Sequence, residues 1–228
     1  EEHFGSDRFV TVAVIGKKEH VDAEGPEKTP VSKEEAEPRG ARQRSPVEGA
    51  RLVEEGGITY RMVPGKPFYT CRDSLDVFLN GLREDAVVGQ KALELLEKYK
   101  DRPFFFFVHF AEVDHKGHQF GENSKEYNDA LISADTWTGR IMDKLQELGL
   151  YNQTRIYVTA DHGFDEDRTS HSDAPYVFLA TNDPKVRRHG DRVDIAPTIL
   201  ARFRLDLDSF QPPLDGHPLS KPWRRPKW

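Results

Sequence analysis

Apolar residues in this chain fall into short unbroken runs separated by longer amphipathic stretches. Residues 9–15, Phe-Val-Thr-Val-Ala-Val-Ile, are rich in β-branched side chains and stop at Gly16, which predicts a buried strand. Residues 104–110, four phenylalanines followed by Val-His-Phe, predict a strand buried on both faces. Shorter runs at 155–158 and 175–180 predict two more strands, and residues 58–63 an edge strand or hairpin arm. Helical periodicity places Val88, Ala92, Leu95 and Tyr99 on one face of a helix running from an Asp85 cap to Lys100. A longer helix over 124–148 aligns Tyr127, Leu131, Ala134, Ile141, Leu145 and Leu148, with Gly149 as its stop. A last helix begins at Asp194, with Pro197 in its first turn.

Strands alternating with helices define an α/β protein. The expected architecture is a three-layer α/β/α sandwich around a mostly parallel sheet, with any site beyond the strands' carboxyl ends. Residues 21–57 break the pattern, being Glu, Lys, Pro, Gly, Ser and Arg with hardly a large apolar side chain. They are expected to form a flexible insert within a single domain spanning 1–228.

Composition narrows the function by exclusion. A net charge of −6 with 32% charged residues carries no basic footprint for nucleic acid. Cys71 is the sole cysteine, so no internal disulfide forms, and no apolar run reaches the length of a membrane span. The chain opens Glu1-Glu2-His3 without an initiator Met or a signal-like segment, which suggests a processed product or a fragment.

The chemistry collects at strand ends. Glu112, Asp114, His115 and His118 follow the phenylalanine strand, Asp161 and His162 follow 155–158, and His171 precedes the next strand. Acids and imidazoles at the ends of buried strands are costly to desolvate unless paired, and a divalent metal pairs with both. Three imidazoles and two carboxylates suit zinc first and manganese second. They exceed the three protein ligands typical of one catalytic zinc, and two metals about 4 Å apart would accommodate them for displacement at phosphorus. His189 competes with His171 as a ligand, while His109, His115 and His217 read as orienting or surface groups. Lys17 and His20, beyond the first strand, are candidates to contact an anionic substrate.

A family resemblance rests on these residues. Val113-Asp114-His115-Lys116-Gly117-His118, Thr159-Ala160-Asp161-His162-Gly163, His171 and Asp194-Ile195-Ala196-Pro197-Thr198-Ile199-Leu200 resemble the metal-binding half of the alkaline phosphatase superfamily. The likeness is to its type I phosphodiesterase/nucleotide pyrophosphatase and sulfatase-like branches. Leu214-Asp215-Gly216-His217-Pro218-Leu219 resembles the usual ending, and Gly16-Lys17-Lys18-Glu19-His20 is similar to the Gly-Lys-x-His segment of sulfatases.

The resemblance implies an alkaline phosphatase-like fold and metal-dependent hydrolysis of small-molecule phosphate mono- or diesters, or of sulfate esters. It implies one metal on Asp114, His118 and His171 and a second on Asp161 and His162. It further implies an N-terminal Asp and a Ser, Thr or formylglycine nucleophile, for which this sequence has no counterpart. The chain is therefore expected to be incomplete at its N-terminus and inactive alone, with the missing half a possible separate polypeptide. Cys71-Arg72-Asp73-Ser74 lacks the Cys/Ser-x-Pro-x-Arg pattern, and Thr29 is followed by Pro30 and a charged tract, so neither replaces the nucleophile. Asp161-His162, where calcium sulfatases more often carry Asp-Asn, favours a phosphoesterase. A phosphomutase of the same superfamily and a non-catalytic metal-binding domain are the alternatives. A periplasmic or secreted location is the one the resemblance favours.

Overall fold

The computed structural model describes residues 9–18, 27–31, 51–63 and 71–222. Its core is a parallel sheet of three strands, β1 (Val10–Ile15), β5 (Val77–Asn80) and β6 (Phe104–His109), in the order β5-β1-β6. Register runs Val12 to Val77 on one side of β1 and Val10 to Phe104 on the other. Val10, Val12 and Val14 point to one face, where they meet Val88 of helix α1 (Asp85–Tyr99), with Phe104, Phe106 and Val108 packed around them. Burying each valine is worth about 1.5–3 kcal/mol relative to exposure, so this face anchors the sheet. The opposite face carries Phe9 and Phe105, both edge-on to Phe203 at 5.7 and 6.1 Å. Phe203 ends helix α4 (Ile195–Arg202), so helical elements contact both sides of the sheet.

Helix α2 (Glu112–Phe120) follows β6, and helix α3 (Lys125–Glu147) packs on α1 and α2. Ser124 caps α3 through Oγ, which accepts from Tyr127 N at 3.1 Å. Strands β7 (Tyr157–Thr159) and β8 (Leu179–Thr181) pair antiparallel as a separate two-stranded ribbon, where the alternation of strands and helices leads to one mostly parallel sheet. Arg202 and Tyr157 both donate to Asp183, at 2.5 and 2.6 Å, tying α4 to this ribbon. Burial first, then the Asp183 carboxylate, pushes the Tyr157 hydroxyl up to about 12. No helix of the described residues is long and apolar enough to cross a membrane.

Three sequence expectations need correcting. First, the stretch 21–57, expected to be a flexible insert, contains two strands among its described residues: β2 (Glu27–Pro30) and β3 (Arg51–Glu55) flank β4 (Ile58–Val63) in an antiparallel sheet. β4 is thus the hairpin arm expected at 58–63, paired on both sides rather than lying at an edge. Gly56 and Gly57, at φ +60° and +76°, make the two-residue turn from β3 to β4, a conformation that both glycines adopt without strain.

Second, β6 is not buried on both faces. Among the described residues it lies at the edge of its sheet, and Phe107 is 44% exposed.

Third, Asp85 does not cap its own helix. Glu84 occupies the cap position, and Asp85 Oδ1 accepts from Ala111 N at 2.8 Å and Glu112 N at 3.2 Å. Glu112 Oε2 accepts in turn from Asp85 N at 3.1 Å. The first turns of α1 and α2 therefore satisfy each other's free N–H groups.

Burial raises the Asp85 carboxyl to about 6, and the Ala111 and Glu112 amides only partly offset it. A carboxyl raised in the folded state holds its proton longer than the unfolded chain does. Its contribution to stability is therefore fully present below pH 3.8 and lost as pH rises to about 6. Asp85→Asn keeps the acceptor and removes the buried charge, so relative to wild type it should gain stability across that window and hold the gain at pH 8. Asp85→Ala, leaving two buried N–H groups unpaired, should cost about 1–3 kcal/mol. Thermal melts of the three proteins from pH 4 to 8 check this; a wild-type-minus-Asn difference that is flat with pH would contradict it.

Candidate metal centre

The site is built where β6 and β7 deliver the chain to α2 and to the loop after Thr159. α2 places Asp114 and His118 one turn apart, with His118 Nε2 3.3 Å from Asp114 Oδ1. The loop brings His162 to 3.8 Å from the same oxygen. It is shaped by Asp165, whose carboxylate accepts from Ser170 Oγ (2.6 Å), Ser172 N (3.1 Å) and Asp173 N (2.9 Å). Those bonds bracket His171 and turn it back onto the site. His171 stacks on His162 at 3.7 Å between centroids and meets His118 at 5.0 Å. Ligand atoms of Asp114, His118 and His171 all lie within 4.8 Å of one another.

The imidazoles are oriented from behind. His118 Nδ1 lies 2.8 Å from the Thr169 carbonyl and His162 Nδ1 2.9 Å from that of Gly163. A carbonyl only accepts, so Nδ1 carries a proton in each ring, and Nε2 is the nitrogen that faces Asp114 and offers a metal its lone pair when the ring is neutral. Phe164 sits edge-on to His118, His162 and His171, with centroids 5.3, 6.1 and 5.6 Å away. It also closes over Gly117, where an added Cβ would fall 2.5 Å from its ring. Gly117→Ala should therefore push Phe164 off the three imidazoles and weaken zinc binding by about 10-fold, the low end for lost outer-shell support. Adding Phe164→Ala should cost less in the Gly117→Ala background than alone, and a double-mutant cycle on zinc affinity reads that coupling.

Asp114 is the electrostatic centre. Its Oδ2 accepts from Lys17 Nζ at 2.8 Å, while Oδ1 is buried and finds no hydrogen-bond partner. Burial opposes its ionisation, but the Lys17 hydrogen bond and charge, with His118 and His162 adding, hold the carboxyl below its ordinary value. Asp161 lies at the rim with its side chain 72% exposed, Oδ2 being 3.5 Å from His162 Nε2. Arg192 Nη1 donates to its backbone carbonyl. His162 Nε2 thus stands between two carboxylates.

All five residues singled out as metal ligands gather here, Asp161 through His162 alone. Lys17 is at the site but engaged with Asp114, and His20 lies outside the described residues. His189 is not among the grouped residues Asp114, His118 and His171. Sequence reasoning missed Phe164, Thr169, Asp165 and Arg192. Only the i, i+4 spacing of Asp114 and His118 signalled that this motif lies on a helix.

These donors fit a divalent cation. An ionised carboxylate oxygen without a hydrogen bond, faced by two imidazole nitrogens whose other nitrogens are held by carbonyls, is a donor set that a divalent ion can use.

Residues 54–206 match the family model of type I phosphodiesterase / nucleotide pyrophosphatase. Human ectonucleotide pyrophosphatase/phosphodiesterase family member 1 is 36% identical over 88 residues, 38% of this chain and 9% of that protein. Venom phosphodiesterase CdcPDE of Crotalus durissus collilineatus is 38% identical over 65 residues, 28% of this chain and 8% of its own. Rat steryl-sulfatase is 34% identical over 82 residues, 33% of this chain and 14% of that protein. The matches thus span only a small part of each of these relatives.

Proposed function

Because this chain belongs to the type I phosphodiesterase/nucleotide pyrophosphatase family, we propose that it is the metal-holding part of a phosphoric ester hydrolase. In this reading the substrates are small-molecule phosphate mono- or diesters, with sulfate esters as the second choice. Asp114, His118 and His171 hold one divalent ion, and Asp161 and His162 take part in holding a second, zinc in preference to manganese. Bound metal would supply Lewis acidity at the ester oxygen and a hydroxyl activated at neutral pH.

The chain's own residues supply the rest. Lys17 keeps Asp114 ionised, Thr169 and Gly163 fix the imidazole tautomers, and Arg192 anchors the backbone at Asp161. Two hydroxyls of the surrounding loop are already engaged: Ser170 donates to Asp165 and Thr159 to the Phe178 carbonyl. In this reading the attacking hydroxyl comes from outside the described residues, as the family resemblance implies. The observation that carries the reading is the buried, unpartnered Asp114 Oδ1 at the focus of the imidazoles.

Calorimetric titration of the metal-stripped chain tests it. Zinc is expected to bind first at a site abolished by His118→Ala, then more weakly at one sensitive to Asp161→Ala. Absence of any saturable zinc or manganese binding by the folded chain overturns it.

A further inference from the structure

The segment between β8 and α4 carries two arginines used in opposite ways. Arg188 is committed to the fold. Its Nε donates to the Lys221 carbonyl at 3.0 Å, and Nη1 to the His189 carbonyl at 2.9 Å and the Asp194 carboxylate at 3.1 Å. Its Nη2 donates to the His217 carbonyl at 3.1 Å. Arg192 is exposed and uses Nη1 alone, which donates to the Asp161 backbone carbonyl. Among the described residues it enters no ion pair, and its Nε and Nη2 donate to nothing.

The turn that presents Arg192 is nevertheless fixed. Asp191 and Asp194 bond reciprocally around it, and the buried Asp194 carboxylate also accepts from Arg188 Nη1 and from His217 N at 2.7 Å. A Cβ added at Gly190 would overlap Asp194 Oδ2, and one added at Gly216 would overlap the Val193 carbonyl. Backbone therefore closes on the turn from both sides. An exposed side chain on a backbone held this tightly loses less freedom on meeting a ligand than one on a loose loop.

Position and charge both point to an anion. Among the described residues, Lys17 and Arg192 are the cations that bond to a metal-ligand residue. Lys17 Nζ meets the Asp114 carboxylate at 2.8 Å, so its charge is compensated. Arg192 meets Asp161 at the carbonyl and leaves the 72% exposed carboxylate to a metal. Its guanidinium thus stands at the rim of the site with its charge unpaired. The planar fork of Nε and Nη2 matches two oxygens of a phosphate.

We propose that Arg192 is a substrate-binding residue that receives unesterified oxygens of the phosphoryl group through Nε and Nη2, a part that Lys17, committed to Asp114, does not play. The assignment rests on the ester-hydrolase reading above.

Titration of the zinc-saturated chain with inorganic phosphate tests it. Wild type should bind phosphate saturably, and Arg192→Met should weaken that binding by about 10- to 100-fold, the range for a lost charged hydrogen bond. Arg192→Lys should recover part of the loss. Zinc affinity is measured in the same three proteins. An arginine that only props the Asp161 backbone would weaken zinc and leave the phosphate affinity of the zinc-saturated protein unchanged, which overturns the proposal. The Arg192 Nε–H resonance, assigned by its absence in Arg192→Met, should shift as phosphate is added; phosphate binding without that shift also overturns it.

Zinc binding without any saturable phosphate binding sinks the Arg192 contact and leaves the metal site standing. A chain that binds no zinc sinks the metal reading instead. Phosphate is then titrated into the metal-free chain, where binding lost in Arg192→Met upholds the contact, and binding that is absent or unchanged overturns it.

Discussion

Replacing Asp114 with alanine should lower zinc affinity by more than about 100-fold, beyond the range for lost outer-shell groups, because it removes a direct donor. The same change deletes the acceptor of Lys17 and the carboxylate that two imidazole Nε2 atoms face. Asp114→Asn separates these effects. It keeps an oxygen but loses the charge, so it should retain more of the metal-free fold than the alanine variant while binding zinc almost as poorly. Lys17→Met should act in the opposite direction on the metal. With the competing ammonium gone, Asp114 Oδ2 becomes available, and zinc should bind more tightly than to wild type. Competition against a chromophoric chelator measures all three. Unchanged affinity in Asp114→Ala would remove Asp114 from the ligand set.

The second large effect concerns turnover. The 228-residue chain, loaded with zinc, should hydrolyse bis(4-nitrophenyl) phosphate and 4-nitrophenyl sulfate far below the ordinary enzymatic range of about 1–10³ per second. Under the proposed function, metal ligation alone leaves the covalent step without its hydroxyl. Supplying polypeptide that contains the nucleophile segment, in cis or as a separate chain, should raise phosphate-ester turnover into that range. The restored activity should depend on Asp114, His118, Asp161, His162 and His171. Enzymatic rates from the chain by itself, at constant specific activity through purification and lost in His171→Ala, would place the nucleophile within it and contradict this account.

How much of this was legible in the sequence differed by element, for physical reasons. β1 and α1 announced themselves because burial imposes a pattern: Val10, Val12 and Val14 alternate, and Val88 and Ala92 recur with the half-buried Leu95 and Tyr99 at helical spacing, although the buried Leu96 was not singled out. The phenylalanine strand was equally clear as a strand, but its partners were not, since local composition records the burial a strand is built for rather than the neighbours present.

Helix α2 was missed because it is short, carries a glycine and two histidines, and lacks a side-chain cap of its own. Its cap comes from Asp85, a contact between residues 26 apart that no local pattern reveals. The strands of β2 and β3 were hidden by charged composition, although the Gly56-Gly57 pair was a hairpin signal in plain view.

The ligand types at the site were readable because desolvation makes acids and imidazoles at strand ends conspicuous. The supporting shell of Phe164, Thr169 and Asp165 was not, because a phenylalanine, a backbone carbonyl and a loop aspartate look ordinary in sequence.

X-ray absorption at the zinc edge of the chain loaded with one equivalent tests the central claim most directly. The account predicts a first shell of nitrogen and oxygen alone at about 2.0–2.2 Å. It should show outer-shell imidazole scattering from two or more histidines, which falls when His118 or His171 is replaced by alanine. A shell containing sulfur, which only Cys71 or a methionine could supply, or a shell unchanged by either replacement, would contradict it.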